Sequence, residues 1–227
     1  MKNLDQYILE SLKGYKPGAI KPKEQLQLPQ SCEKYFANQK VDVDEIENLD
    51  TSNVTNMESM FEQANFDLDS LDLSSWDVSN VTNMENMFHR CLKIEYLDLS
   101  TWDTSKVINM KSMFDGCDHL KFLDVSGWDT SNIRNPESLY TFSECYNLTD
   151  IRFGPGWGKN YYVLDLCDCG KNKGYKLSDE TYESMLNMYD RKKAGLDPVT
   201  IYFNKNHNFP DGWREKMEER GYSIVRS

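Results

Sequence analysis

Three aspartates, Asp72, Asp98 and Asp124, recur 26 residues apart inside one short alternation of apolar and polar residues, Leu-Asp-Leu-Ser twice and then Leu-Asp-Val-Ser. Such alternation marks a half-buried strand, and stacking three such strands would set the carboxylates in a row about 5 Å apart. Like charges at that spacing cost stability unless something compensates them. Solvent and local N–H donors rank first as the compensation. The second is a cation or the Lys/Arg surface of a protein partner, which makes Asp72, Asp98 and Asp124 the candidate binding residues. Trp76, Trp102, Trp128 and Trp157 recur in the same way. They are read either as a buried ladder, the favoured reading, or as an exposed aromatic stripe for recognition.

The other reactive side chains do not assemble into a site. Cys91, Cys117 and Cys145 hold one position in successive repeats, where a small apolar side chain inside the fold explains them better than metal or disulfides. Cys167 and Cys169 are an isolated pair without the second pair or the histidines that zinc needs. His89, His119 and His207 sit at unrelated points with no HExxH, GxSxG or Cys/His pairing, and are assigned to the surface. Gly154-Pro-Gly-Trp-Gly158 and Gly170-Lys-Asn-Lys-Gly174 match no phosphate-loop pattern and read as turns. No catalytic residue, metal or cofactor is expected, and the chain is not read as an enzyme.

The elements that would position these residues come from an internal repeat. Residues 71–96, 97–122 and 123–150 are successive copies, 46–70 is a degenerate one with Leu49 at the Trp position, and 151–158 is a remnant carrying Trp157. Within a copy, Leu71 to Ser74 reads as a strand and Val81 to Met84 as a second, weaker one. Met84, Met87, Phe88 and Cys91, three or four apart, read as one or two turns of helix. Between them, Asp50, Asp77, Asp103 and Asp129 each stand two residues before a serine, the pattern of an Asx turn. Units that cannot bury an apolar face alone must stack. The expected fold class is therefore an α/β repeat solenoid, a short leucine-rich-repeat-like array of about four 26-residue coils over 41–158.

Residues 159–227 read as a C-terminal cap continuing that array. It contains a helix over 177–194 with Ser178 as N-cap, a strand Val199–Phe203, a helix over 210–221 closed by Gly221, and a strand Tyr222–Val225. At the other end, residues 1–13 read as an N-terminal peptide or small amphipathic helix. Residues 14–40, which open on a stretch rich in Pro, Gly, Gln and Lys, read as linker and N-cap.

The pattern LDLSxWD[TV]SNVTNMxxMFxxCxxL, over 46–158, resembles the BspA-like leucine-rich repeats and the related repeats of mycoplasma lipoproteins. The resemblance implies a solenoid with a binding or adhesive role. At the N-terminus, Met1-Lys2, Tyr7, Ile8, Glu10 and Ser11 resemble the capsid-targeting peptide of internal proteins of large tailed phages. That likeness implies cleavage after the triplet Ile8-Leu9-Glu10 and delivery to a capsid, with a capsid or other virion protein as partner.

The formal net charge of −11 is unevenly spread. Residues 41–150 carry 22 acidic against 6 basic side chains, whereas both ends are mildly basic. A surface of that sign repels phosphate backbones and anionic lipid, so nucleic-acid and membrane partners are not expected. No run is long and apolar enough for a membrane span, and the first residues lack the apolar core of a secretory signal. The expectation is a non-enzymatic protein-interaction module, virion-associated or in the host cytoplasm, with a bacterial surface or host-contact adhesin as the alternative.

Overall fold

The computed structural model describes residues 26–47, 49–91, 93–134, 140–159 and 164–227. The expected N-terminal peptide, with Ile8, Leu9 and Glu10, lies outside the described residues. The elements in chain order are β1 (Lys40–Val41), α1 (Val43–Ile46), β2 (Asn65–Phe66), β3 (Ser70–Asp72), β4 (Tyr96–Asp98), β5 (Phe122–Asp124), β6 (Asp150–Arg152), β7 (Leu164–Asp165), a 3-10 turn (Lys171–Lys173), α2 (Asp179–Met185), β8 (Val199–Phe203), α3 (Trp213–Glu219) and β9 (Tyr222–Arg226). They form three separate parallel sheets, ordered β1-β2, β3-β4-β5-β6 and β7-β8-β9.

The expected α/β repeat solenoid, with a strand, a second strand and a helix in every coil, is therefore not the observed architecture. The chain is a mixed fold with few helices and three short parallel sheets. The reason lies in the segment that was read as helical. Asn86, Arg90, Ser59, Gln63 and Ser112 all adopt left-handed backbone, with φ between 51° and 56°, a conformation no α-helix contains. Alternate amides there leave their own segment: Asn86, Phe88 and Arg90 donate to the carbonyls of Lys111, Met113 and Asp115 at 2.8–2.9 Å. The intervening amides of Met87, His89 and Cys91 close three-residue turns on Met84, Asn86 and Phe88. Such turns also return a side chain to one face every third residue. The second strand is likewise reduced to single bridges linking Asn56, Asn83 and Asn109.

A strand forms at the expected place but one residue earlier and shorter, Ser70–Asp72 rather than Leu71 to Ser74, because the Ser74 amide turns back onto Asp72. Leu71, Leu97, Leu123 and Ile151 are in register at the centres of β3 to β6 and fully buried, while their neighbours on either side face outward. Behind the sheet, Trp76, Trp102, Trp128 and Trp157 stack at 6.0–6.4 Å between ring centroids. Each indole N–H donates to a carbonyl of the preceding unit, those of Ile46, Leu73, Leu99 and Val125. Phe36, Phe61, Phe88, Phe114 and Phe142 form a second stack at 5.4–5.9 Å. Both stacks thus bury ring faces on one another, and the tryptophans satisfy their one polar atom as well.

The four-stranded sheet ends where α2 arrives. The Ile151 amide donates to Thr181 Oγ1 at 2.8 Å and the Phe153 amide to Ser184 Oγ at 3.1 Å. The Thr181 hydroxyl donates back to the Thr149 carbonyl, while the Ser184 hydroxyl has its one proton between the Thr181 carbonyl at 2.7 Å and the Ile151 carbonyl at 3.1 Å. Two helix hydroxyls take the hydrogen bonds a fifth strand would have made, so β7 begins a new sheet. Ser178 is the N-cap of α2 as expected, with its Oγ accepting the Thr181 amide at 3.0 Å. The helix stops at Met185, well short of 194, because the Tyr189 amide is taken by the Trp157 carbonyl at 2.9 Å.

Candidate binding face

The parallel register places two rows of side chains on the outward face of the four-stranded sheet. One row is Ser70, Tyr96, Phe122 and Asp150; the other is Asp72, Asp98, Asp124 and Arg152. All three candidate aspartates are thus brought together, with Asp72 and Asp98 exposed and Asp124 half-buried. Each is held by its own turn: the amides of Ser74, Ser100 and Ser126 donate to Oδ1 of Asp72, Asp98 and Asp124 at 2.9 Å. The bonds from Ser74 hold the Asp72 carboxyl below the usual carboxylate range. Local N–H donors are therefore one compensation the row has.

The second set of turns lies off this face. Asp50, Asp77, Asp103 and Asp129 accept the amides of Ser52, Ser79, Ser105 and Ser131 at 2.9–3.0 Å. Hydrogen bonds from the serines hold Asp50 and Asp103 low, and despite its partial burial Asp129 is held low by Lys159, 2.8 Å away. Much of the acidity of the repeats is thus turn chemistry.

At its C-terminal end the acidic row is closed by the chain itself. Arg152 grips Asp150 through two contacts, Nε to Oδ1 at 2.9 Å and Nη2 to Oδ2 at 3.0 Å, while its guanidinium lies 6.0 Å from the centroid of the Phe122 ring. The N-terminal half of the face stays open. Leu68 and Tyr96 are 51% and 48% exposed, and with Glu47, Asp72 and Asp98 they line a groove of about 470 Å³. Leu68, Tyr96, Phe122 and Arg152 were not picked out from the sequence. The signal was present for two of them, since Tyr96 and Phe122 stand two residues before Asp98 and Asp124 in the same alternation.

The remaining candidates fall elsewhere. Cys91, Cys117 and Cys145 are buried, and each thiol donates to the carbonyl of a stacked phenylalanine, Phe61, Phe88 and Phe114, at 2.9–3.1 Å. Burial pushes the Cys91 and Cys145 thiols far up, Cys32 to about 12 and Cys167 to about 11, so none of these four is an activated nucleophile. The tryptophans form the buried ladder. His119 is exposed and His89 stands 3.4 Å from Glu62. His207, assigned to the surface, is instead completely buried, because the loop after β8 folds it against Phe203, at 5.1 Å, and Tyr175. Gly154 to Gly158 is a turn packed on the preceding unit; a Cβ on Gly156 would stand 1.9 Å from the Trp128 carbonyl oxygen. Among the described residues, no helix is long and apolar enough to cross a membrane.

No curated protein and no solved structure matches the chain. Residues 30–151, more than half of its length, match the family model described as Mycoplasma protein of unknown function, DUF285. On that match, with its strands, turns and aromatic ladders repeating through the same residues, the chain belongs to the DUF285 family.

Proposed function

We propose that this chain is a non-enzymatic protein-interaction module of the BspA-like type, and that the outward face of β3 to β6 holds its protein partner. The observation that carries the reading is the row of in-register aspartates beside exposed Tyr96 and Leu68. An exposed apolar patch rimmed by charge is the composition of an interaction surface, and a row of like charges is a standing cost that a basic partner would relieve. The non-enzymatic part is supported by the buried thiols of Cys32, Cys91, Cys145 and Cys169, which burial pushes away from reactivity.

A photoreactive p-benzoylphenylalanine placed at position 96, 68 or, as control, 225 of the full chain tests the face in cells of the source organism. One and the same polypeptide should cross-link from 96 and 68 and not from 225. Equal cross-linking from all three positions would refute the reading.

Addressing to a phage capsid, as packaged cargo or virion component, rests on Met1, Lys2, Tyr7, Ile8-Leu9-Glu10 and Ser11. A native mass beginning at Ser11 in purified virions supports it. An intact Met1 on a cell-surface fraction defeats it and favours the adhesin.

A further inference from the structure

We infer that the outward face contains an arginine subsite centred on Tyr96, and that the partner presents an extended segment whose arginine lies on that ring beside Asp98. The inference rests on the interaction reading above and narrows it to one recognition chemistry. Its basis is the contact the chain already makes at the other end of the same face. There Arg152, in the second row of β6, reaches diagonally across to the Phe122 ring in the first row of β5 and is held by the Asp150 carboxylate. An aromatic face and a carboxylate on one sheet surface are thus filled by a guanidinium.

One strand back, the aromatic position recurs without a cation and with its acids placed differently: where Asp150 stands beside Phe122, Phe122 stands beside Tyr96, and the carboxylates lie in the second row. Tyr96 occupies in β4 the register position that Phe122 occupies in β5. The diagonal position that Arg152 holds relative to Phe122 is held relative to Tyr96 by Asp124, an acid. Tyr96 therefore has Asp98 in its own strand and Asp72 and Asp124 on the strands either side, in a row of carboxylates. Lys121, whose charge is felt at Tyr96, is engaged with Glu95 at 2.5 Å. Among the described residues no guanidinium or ammonium is stacked on the Tyr96 ring. The ring is 48% exposed, and Leu68 and Glu47 wall the groove on the β3 side.

A guanidinium suits this place better than an ammonium. Its plane stacks on an aromatic face while its edge offers N–H donors to a carboxylate, whereas an ammonium is compact and strongly hydrated. Acidic flanks exclude acidic partners and attract basic ones. The occupant is therefore another protein's extended, arginine-bearing segment.

The test uses the full chain and two fluorescein-labelled synthetic peptides of equal charge, one alternating arginine with serine and the other lysine with serine, read by fluorescence anisotropy. The arginine peptide should bind about tenfold tighter than the lysine peptide. Tyr96→Leu should abolish that preference while leaving the lysine peptide unchanged, Tyr96→Phe should retain it, and Asp98→Asn should weaken both peptides. Equal affinities, both lost in Asp72→Asn/Asp98→Asn, would overturn the arginine subsite and leave the acidic interaction face standing. An arginine preference that survives Tyr96→Leu, or no binding of either peptide, would overturn the inference as well. The interaction reading itself stands or falls on the positional cross-linking.

Discussion

The hydroxyl of Thr181, on helix α2, accepts the Ile151 amide of strand β6 at 2.8 Å and so stands in for a neighbouring strand. With Ser184, which accepts the Phe153 amide at 3.1 Å, it seals the edge of the four-stranded sheet. An open edge of this kind is a template for unwanted pairing.

That relationship makes Thr181→Val informative. The substitution keeps the shape but leaves the buried Ile151 N–H without its acceptor, a loss of about 2 kcal/mol, while the Thr149 carbonyl keeps the Ser178 amide at 2.7 Å. Thr181→Ser should restore most of it. Urea unfolding reads the stability, and hydrogen exchange at the Ile151 amide locates the effect: faster exchange in Thr181→Val and near-native exchange in Thr181→Ser. Equal stabilities for all three would mean the edge is satisfied in another way.

Gly156 tests how closely successive units approach. A Cβ there would lie 1.9 Å from the Trp128 carbonyl oxygen and 2.9 Å from the Asp129 Cα, both backbone atoms. The unit must therefore move, dragging Trp157 off the stack. Gly156→Ala should destabilise the chain by about 3 kcal/mol and red-shift tryptophan fluorescence. Gly195→Ala, where a Cβ meets nothing within 4 Å but φ is +70°, should cost about 1 kcal/mol and leave the fluorescence alone.

The aspartate row separates the charge from the turn. Asn can still accept the Ser100 and Ser126 amides, so Asp98→Asn/Asp124→Asn keeps the turns and removes the repulsion, while Asp72, whose charge the Ser74 bonds stabilise, is left in place. The melting temperature should rise by about 3 °C at low salt, and the gain should shrink in 1 M NaCl, where the screening length falls to about 3 Å. An unchanged or lower melting temperature at low salt would show that the serine amides already cancel the repulsion.

What could be read from the residues alone was whatever depends on one local period. The Leu-Asp alternation located β3, β4 and β5, the Asp-x-Ser spacing located the turns, and the 26-residue recurrence placed Trp76, Trp102, Trp128 and the cysteines in the interior. The Met84, Met87, Phe88, Cys91 spacing misled because a chain of three-residue turns and an α-helix repeat their apolar positions almost alike; only the left-handed Asn86 and Arg90 separate them. The sheet edge at β6 was hidden for another reason. Thr181 and Ser184 read as ordinary residues in the first turns of a helix, and their role exists only once β6 lies beside them. Arg152 was obscured by the two extra residues in the third repeat, which displace it from the aspartate column in the sequence but not in the sheet.

His207 sets the most distinctive pH dependence. It is completely buried, both ring nitrogens lack hydrogen-bond partners among the described residues, and its surroundings include Phe203, Tyr175 and the positive charge of Arg226. Burial, and secondarily Arg226, push its pKa down to about 4. The unfolded chain thus takes up a proton near pH 6.5 that the folded chain refuses until about pH 4. The stability contributed by the neutral ring is complete above pH 6.5 and drains away as the pH falls towards 4, by about 3 kcal/mol. The low-pKa aspartates Asp50, Asp72, Asp103 and Asp129 act in the same direction but in a lower window, since their contribution fades only as the pH falls below about 4. Urea titrations of the parent chain and of His207→Leu, compared between pH 7.5 and 4, isolate the histidine. The parent should lose about 3 kcal/mol more than the variant over that interval. Parallel curves would show that the ring finds a partner when it is protonated.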